Sequence, residues 1–327
     1  MILIRIHLTS LFENRKQKAL KELNCLKNQQ LSEFFKKRQK TRRLLPDYPF
    51  KSNFVQIEGI KIHYVDEGCL DDPVLLFLHG VPTWSFTFRK IIPECVAAGN
   101  RVIAPDLPGF GKSDKNGLSK ILSVENLVIW MEEFIWRLGL KRIFLFAHDW
   151  GAIIGLMLAA KNPEHFSGII ACNGMLPVIG QKVPSAFRLW KFFCRFSPVL
   201  PVGRIVGFAC QRKLSRSEKD GYDLPFSDST QKNAIRILPQ LIPLKEGEPG
   251  ADLISECWDL LEKWEKPFLT VFSSTDPITR NGEIILQQHI PGTKNQLHRI
   301  LNGKHFLQED APVELSRIII EFVKSNQ

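Results

Sequence analysis

From Phe54 onward, short runs of consecutive apolar residues alternate with longer stretches in which apolar positions recur every three or four residues. The first pattern belongs to strands covered on both faces, the second to helices packed against them. Residues 55–57 and 60–65, joined at Glu58-Gly59, predict an opening hairpin, because a turn dipeptide separates two alternating segments. Residues 74–78, 101–104, 143–146 and 168–172 predict buried parallel strands, with helices near 86–98, 121–138 and 151–162 between them. This is the rhythm of a doubly wound, mostly parallel α/β sheet. It stops near Leu176. From 176 to 262 no strand pattern is visible and aromatic, proline and basic residues crowd the chain, which predicts a helical cap inserted into the α/β domain. Strands resume at 267–272 and 296–300, before a final helix over 313–323. The expected organisation is a basic N-terminal extension (1–45), a first core segment (46–175), the cap (176–262) and a second core segment (263–327).

A chain of 327 residues, 44% hydrophobic and 24% charged, can build one large domain with a sizeable insert. No apolar run reaches the roughly 20 residues needed to span a bilayer. The initial apolar stretch is broken at once by Arg5 and His7, which argues against a standard export signal. The seven cysteines are odd in number and include no C-x-x-C pair, so neither a disulfide framework nor a zinc site is expected. A reducing cytoplasm fits them, and no metal or cofactor is anticipated. The net charge of +10 would suggest nucleic acid if it were spread over the chain. Residues 1–45 hold twelve Lys/Arg and three Glu, and so carry nearly all of it. The near-neutral remainder suits a protein that handles uncharged small molecules, with no nucleic-acid partner. The extension itself reads as a solvated tail. Its Leu20, Leu23, Leu26 and Leu31 among lysines give the alternative of an amphipathic helix on a membrane surface or a partner. A monomer is expected.

The candidate chemistry centres on Ala147-His148-Asp149-Trp150-Gly151, which stands between an apolar strand and a helix-like stretch. In G-x-S-x-G elbows small residues permit a sharp strand-to-helix turn that lifts a nucleophile above the sheet. Here the nucleophile position carries Asp149. A carboxylate is already an anion at neutral pH and can attack a saturated carbon, leaving an ester on the protein. Its structural alternative is a helix N-cap, a position that favours aspartate. Two further candidates fall at strand ends, where α/β folds gather ligands: Asp276 after residues 268–275, and His305 after the last strand. Taken singly, one would be a turn residue before Pro277 and the other a helix-start residue. Together they supply nucleophile, acid and histidine in the chain order of an α/β-hydrolase fold. The loop His79-Gly-Val-Pro-Thr-Trp84 follows a strand where such folds place one oxyanion donor. The backbone N–H of Val81, paired with that of Trp150, is the expected oxyanion hole. The loop at 106–114 lacks Walker spacing and reads as scaffold.

The motifs H-G-x-P-T-W, D-x-x-G-F-G-x-S-D, H-D-W-G and G-x-H-F-x-Q-E, spread from about residue 46 to the C-terminus, resemble those of the haloalkane dehalogenases. The resemblance implies that Asp149 displaces halide in line and that Trp150 donates its indole N–H to the leaving ion. It further implies that His305, oriented by Asp276, activates water to hydrolyse the alkyl-enzyme ester. An indole N–H suits a halide because it donates without being able to compete as a nucleophile. One branch of the family takes a second donor from an Asn in H-G-N-P, but this chain has Val81 there. The other branch uses a cap tryptophan. Trp190 is similar in position and surroundings to that residue, and Gly221-Tyr-Asp-Leu-Pro-Phe226 resembles the same branch. Trp258 and Trp264 are weaker candidates, and core packing is the plain alternative for all three. Epoxide hydrolases share the Asp elbow, acid and histidine, but use cap tyrosines to protonate an alkoxide, and only Tyr222 lies in the cap here. A non-catalytic small-molecule binding module on the same fold is the remaining alternative.

Overall fold

The structure, a computed structural model, describes Leu45 and residues 47–327. The basic extension therefore lies outside the described residues apart from Leu45.

Residues 47–327 build one eight-stranded sheet flanked by helices. Strands β1 (Asn53–Ile57) and β2 (Ile60–Glu67) form the expected antiparallel hairpin, with Ile57 opposite Ile60. Its turn residues Glu58 and Gly59 both have positive φ, which matches the right-handed twist of the two strands. Then follow β3 (Val74–Leu78), β4 (Arg101–Pro105), β5 (Ile143–His148), β6 (Phe166–Cys172), β7 (Phe268–Ser273) and β8 (Arg299–Leu301). The order across the sheet is β1-β2-β4-β3-β5-β6-β7-β8, and every pair from β4 to β8 is parallel. After β3 the chain steps outward to β4 and then returns past β3 to β5. The carboxyl ends of β3 and β5 thus flank the topological switch point, where such sheets open a crevice for ligands.

Helices cover both faces, which is why the strands read as unbroken apolar runs. On β5, Phe144 meets Phe322 of the terminal helix, while the adjacent Leu145 lies against Gly155 on the opposite face. The helices numbered here are α1 (Ile92–Ala97), α2 (Val124–Arg137), α3 (Trp150–Lys161), α4 (Ser185–Phe196), α5 (Val202–Phe208), α6 (Arg216–Asp223), α7 (Asn233–Leu241), α8 (Ala251–Leu261), α9 (Gly282–His289), α10 (Leu307–Asp310) and α11 (Pro312–Ser325). Helix α3 is buried all round from Trp150 to Ala160, packed between the sheet, α2 and α8. Helix α2 buries one stripe and begins where Ser123 accepts from the Asn126 amide as an N-cap. Between β6 and β7 the described chain holds only helical elements. Helix α4 pairs with α7, and α5 with α6 so closely that a side chain on Gly203 would meet the Lys219 carbonyl.

Two expectations need correction. The helix near 86–98 is a 3-10 turn at Ser85–Phe88 followed by the short α1, with Pro93 in its first turn. The strand near 296–300 is shorter and later, as β8. Residue 298 is instead held out of the ladder, because its Nδ1 accepts from the Thr270 amide at 3.1 Å while its Nε2 faces the Thr293 carbonyl at 3.0 Å.

Candidate active site

Asp149 sits between β5 and α3 with φ 51° and ψ −119°. It occupies the N-cap position of α3, yet its side chain makes no cap hydrogen bond. The carboxylate turns instead toward the β3 loop and the end of β8. Its Oδ1 accepts from the Val81 amide at 2.8 Å, and its Oδ2 stands 3.5 Å from His305 Nε2. Glycines make this close packing possible. A Cβ on Gly151 would lie 2.1 Å from the Leu78 carbonyl oxygen, and one on Gly80 would lie 2.4 Å from Asp149 itself.

His305 lies after β8 and is buried. Its Nδ1 donates to Asp276 Oδ2 at 2.9 Å. Asp276, after β7, also accepts from the Ile278 amide at 2.9 Å and from the Thr279 hydroxyl. The three strand-end residues named from the sequence are therefore brought into one line, hydrogen-bonded between His305 and Asp276 and in ion-pair contact between His305 and Asp149. Burial alone would lower the His305 pKa, but the carboxylates of Asp276 and Asp149 outweigh it and raise the value to about 10. Burial likewise works against ionisation of Asp149 and Asp276. His305 overcomes it at both, helped by the Trp150 backbone N–H at Asp149 and by Thr279 and Ile278 at Asp276, so both are held below the usual carboxylate range.

Two residues that sequence reasoning left without a role hold the histidine from behind. His148 Nε2 donates to the His305 carbonyl at 2.8 Å, and Asn173 Nδ2 donates to the same oxygen at 2.9 Å. Burial and the neighbouring His305 push the His148 pKa down to about 4, so it is a neutral donor at pH 7. Asn173 Oδ1 accepts from the Ser273 amide at 2.8 Å, tying the ends of β6, β7 and β8 together. The strand-end rule that selected Asp149 and Asp276 would have selected Asn173, the first residue after β6. The β3 loop is fixed in the same manner. His79 faces the Gly80 carbonyl through Nδ1 and accepts from the Leu107 amide through Nε2. Asp106 accepts from the amides of Ser85 and Lys112 and pairs with His63, which gives the 106–114 loop the scaffold place expected of it.

Two cavities meet at Asp149. One, of about 790 Å³, is lined by Val81, Leu189, Trp190, Phe193, Phe208 and His305 among others, and is largely apolar. The second, of about 420 Å³, is lined by Trp150, Met175, Phe187, Trp190 and Ile278, and is more polar. Trp150 and Trp190 thus flank Asp149 from the core and from α4. Neither indole N–H has a protein acceptor among the described residues. Trp258 donates to the Pro177 carbonyl at 2.8 Å, and Trp264 is buried against Gly292, so neither faces Asp149. The three tyrosines also point elsewhere. Tyr222 donates to Glu309 Oε1 at 2.6 Å, Tyr48 pairs with Ser85, and Tyr64 packs on Phe134.

Residues 73–312 match the family described as alpha/beta hydrolase fold. The chain is 40% identical over 283 residues to a haloalkane dehalogenase of Mycolicibacterium paratuberculosis, covering 85% of this chain and 94% of that one. It is 42% identical over 289 residues to a haloalkane dehalogenase of Psychrobacter cryohalolentis, covering 86% and 95%. Among solved structures, the tetrameric haloalkane dehalogenase DpaA of Paraglaciecola agarilytica superposes with a TM-score of 0.78 at 27% identity, covering 86% of this chain and 94% of that one. With the Asp elbow, its strand-end partners and the two indoles already in place around one crevice, this degree of similarity over nearly the whole described chain makes the protein a member of the haloalkane dehalogenase family.

Proposed function

We propose that the protein hydrolyses small apolar haloalkanes to alcohol and halide through an ester on Asp149. The observation that carries this reading is the pair of unengaged indole N–H groups, Trp150 and Trp190, lining one cavity with an ionised Asp149. Oδ2 attacks the carbon bearing the halogen, the carbon–halogen bond breaks, and the halide leaves with its electron pair toward the two indoles. Oδ1, already held by Val81, becomes the carbonyl oxygen of the ester. His305 Nε2 then takes a proton from water, whose oxygen attacks the ester carbonyl carbon. The developing charge on Oδ1 is taken up by the amides of Val81 and Trp150, a reading supported by the Val81 amide already donating to that oxygen. The acyl C–O bond breaks, the departing alkoxide takes the remaining proton of the added hydroxyl and leaves as the alcohol, and this restores the Asp149 carboxylate with the imidazole protonated until it releases that proton to solvent. Substrate and water supply every atom the products require.

Epoxide opening is disfavoured because the hydroxyl it would need, that of Tyr222, is committed to Glu309. Thiols buried at Cys95, Cys172, Cys194, Cys210 and Cys257 fit the reducing cytoplasm to which we assign the protein. The test is halide release from 1,2-dibromoethane and 1-chlorobutane, run beside styrene oxide hydrolysis. Halide release that disappears in Asp149→Asn is the expected result. Diol without halide would transfer the site to epoxide chemistry, and binding without turnover would favour a binding module.

A further inference from the structure

Exposed large apolar residues are scattered singly over most of the surface, as on any globular protein, but five of them cluster on α4, α5 and the turn between them. Leu189, Phe192 and Phe196 follow one another at helical spacing on α4 and are each exposed by 60% or more. Val199 in the turn is 63% exposed, and Phe208 at the end of α5 is 85% exposed. Leu189 and Phe208 also line the larger cavity, so the apolar patch forms the rim of the opening that leads to Asp149.

The charge around this patch is predominantly positive. From His165 to Ser217 the chain contains no Asp or Glu, while eight Lys/Arg fall within the same stretch; Arg212 and Arg216 are paired with acids beyond it, which leaves Lys182, Arg188, Lys191, Arg195, Arg204 and Lys213 outside any ion pair in the described structure. Two cations, Arg195 from this stretch and Lys304 from the loop after β8, border the aromatic rings directly. The Arg195 guanidinium lies 5.3 Å from the Phe196 ring, and Lys304 Nζ lies 5.5 Å from the Phe208 ring. Exposed aromatic side chains bordered by an excess of cations are what an anionic bilayer surface binds. Rings enter the acyl boundary, and cations meet the headgroups.

We propose that the α4–α5 face of the cap docks on an anionic lipid bilayer, with the cavity rim set against the membrane. Haloalkanes partition into acyl chains, so a docked rim would admit substrate directly from the lipid. That consequence rests on the dehalogenase reading, whereas docking itself is measured without substrate. The experiment is cosedimentation of the full chain with phosphatidylcholine vesicles, with and without one third phosphatidylglycerol, for the wild type and for Phe192→Ser/Phe196→Ser. These two side chains line neither cavity, so turnover of a water-dissolved haloalkane should be unchanged and reports intact folding. The expected result is binding that requires phosphatidylglycerol and weakens about tenfold or more in the double variant. Equal binding by wild type and variant would place attachment elsewhere in the chain and overturn the proposal. Absence of wild-type binding would overturn it too, and a dimer lost in the variant would show that a second copy covers this face.

Discussion

At the residue scale, the buried line from Asp149 through His305 to Asp276 couples the charge of the proposed nucleophile to the basicity of the histidine. While Asp149 is a carboxylate it helps raise His305, and esterification removes that negative partner. In the proposed reaction the imidazole therefore holds its proton less firmly once the ester has formed, although Asp276 continues to favour the cation. In single-turnover kinetics, ester formation should be nearly constant between about pH 5 and 9, because Asp149 stays ionised. Ester hydrolysis should instead fall as pH drops through the His305 value of the ester form, and a hydrolysis step flat through pH 5 would contradict the assignment. His305→Phe should accumulate the alkyl-protein ester, seen by mass spectrometry as one added alkyl group. Trp190→Phe should weaken halide binding by about tenfold, the loss of a single hydrogen bond to a charged group, with Trp258→Phe as the unaffected control. Equal effects of the two substitutions would remove Trp190 from the halide site.

At the element scale, the cap is joined to the core by a buried ion network. Arg89, after the 3-10 turn, donates to Glu309 of α10 at 2.5 Å and to Glu218 of α6 at 3.1 Å. Lys90 and Arg212 complete the pairing of both carboxylates, and Tyr222 of α6 adds its hydroxyl. Arg89 and Glu309 are almost entirely buried, so breaking one side leaves the other inadequately paired. Arg89→Met should lower unfolding free energy by about 3 kcal/mol in urea titrations. Arg89→Met/Glu309→Leu should lose less than that single variant. An additive double loss would mean that the pair does not act as a unit. Asn173→Ala tests the clasp behind His305. Because the clasp positions the histidine, ester hydrolysis should slow while ester formation is spared, whereas a general folding defect would depress both.

At the scale of the whole molecule, buried titrating groups set the pH range of stability. Asp106, Asp276 and Glu309 are all held below the ordinary carboxylate range. Their contributions are present above the unfolded-state values and are lost as pH falls through the folded ones. His148 acts on the same side, since its depressed value is lost as a stabiliser between the ordinary histidine value and about 4. His305 acts oppositely, contributing below its unfolded value and losing that contribution as pH rises toward about 10. The thermal midpoint should therefore peak near about pH 6 to 7 and decline on both sides, steeply below about pH 4. A midpoint still rising at pH 9 would mean that His305 is not held as a cation in the folded protein.

Amino-acid order alone determined all but the last of the strands, the helical insert and the residues of the elbow, while the strand order and its switch point came from the structure. Each feature legible in the order depends on local means, namely apolar periodicity, turn chemistry and small residues at a forced bend. Asp149, Asp276 and His305 were legible because parallel strands deliver their carboxyl ends to one edge, so a strand-end position already implies a shared crevice. What only the tertiary structure decided is how side chains distant in sequence divide their hydrogen bonds. Asp149 could have capped α3, and it was Val81 and His305 converging from other strands that turned it away. Four tryptophans and one tyrosine competed for places around the site, and contacts with Pro177, Gly292 and Glu309 removed Trp258, Trp264 and Tyr222, leaving Trp150 and Trp190. Such choices turn on partners separated by many tens of residues, and periodicity carries no record of them.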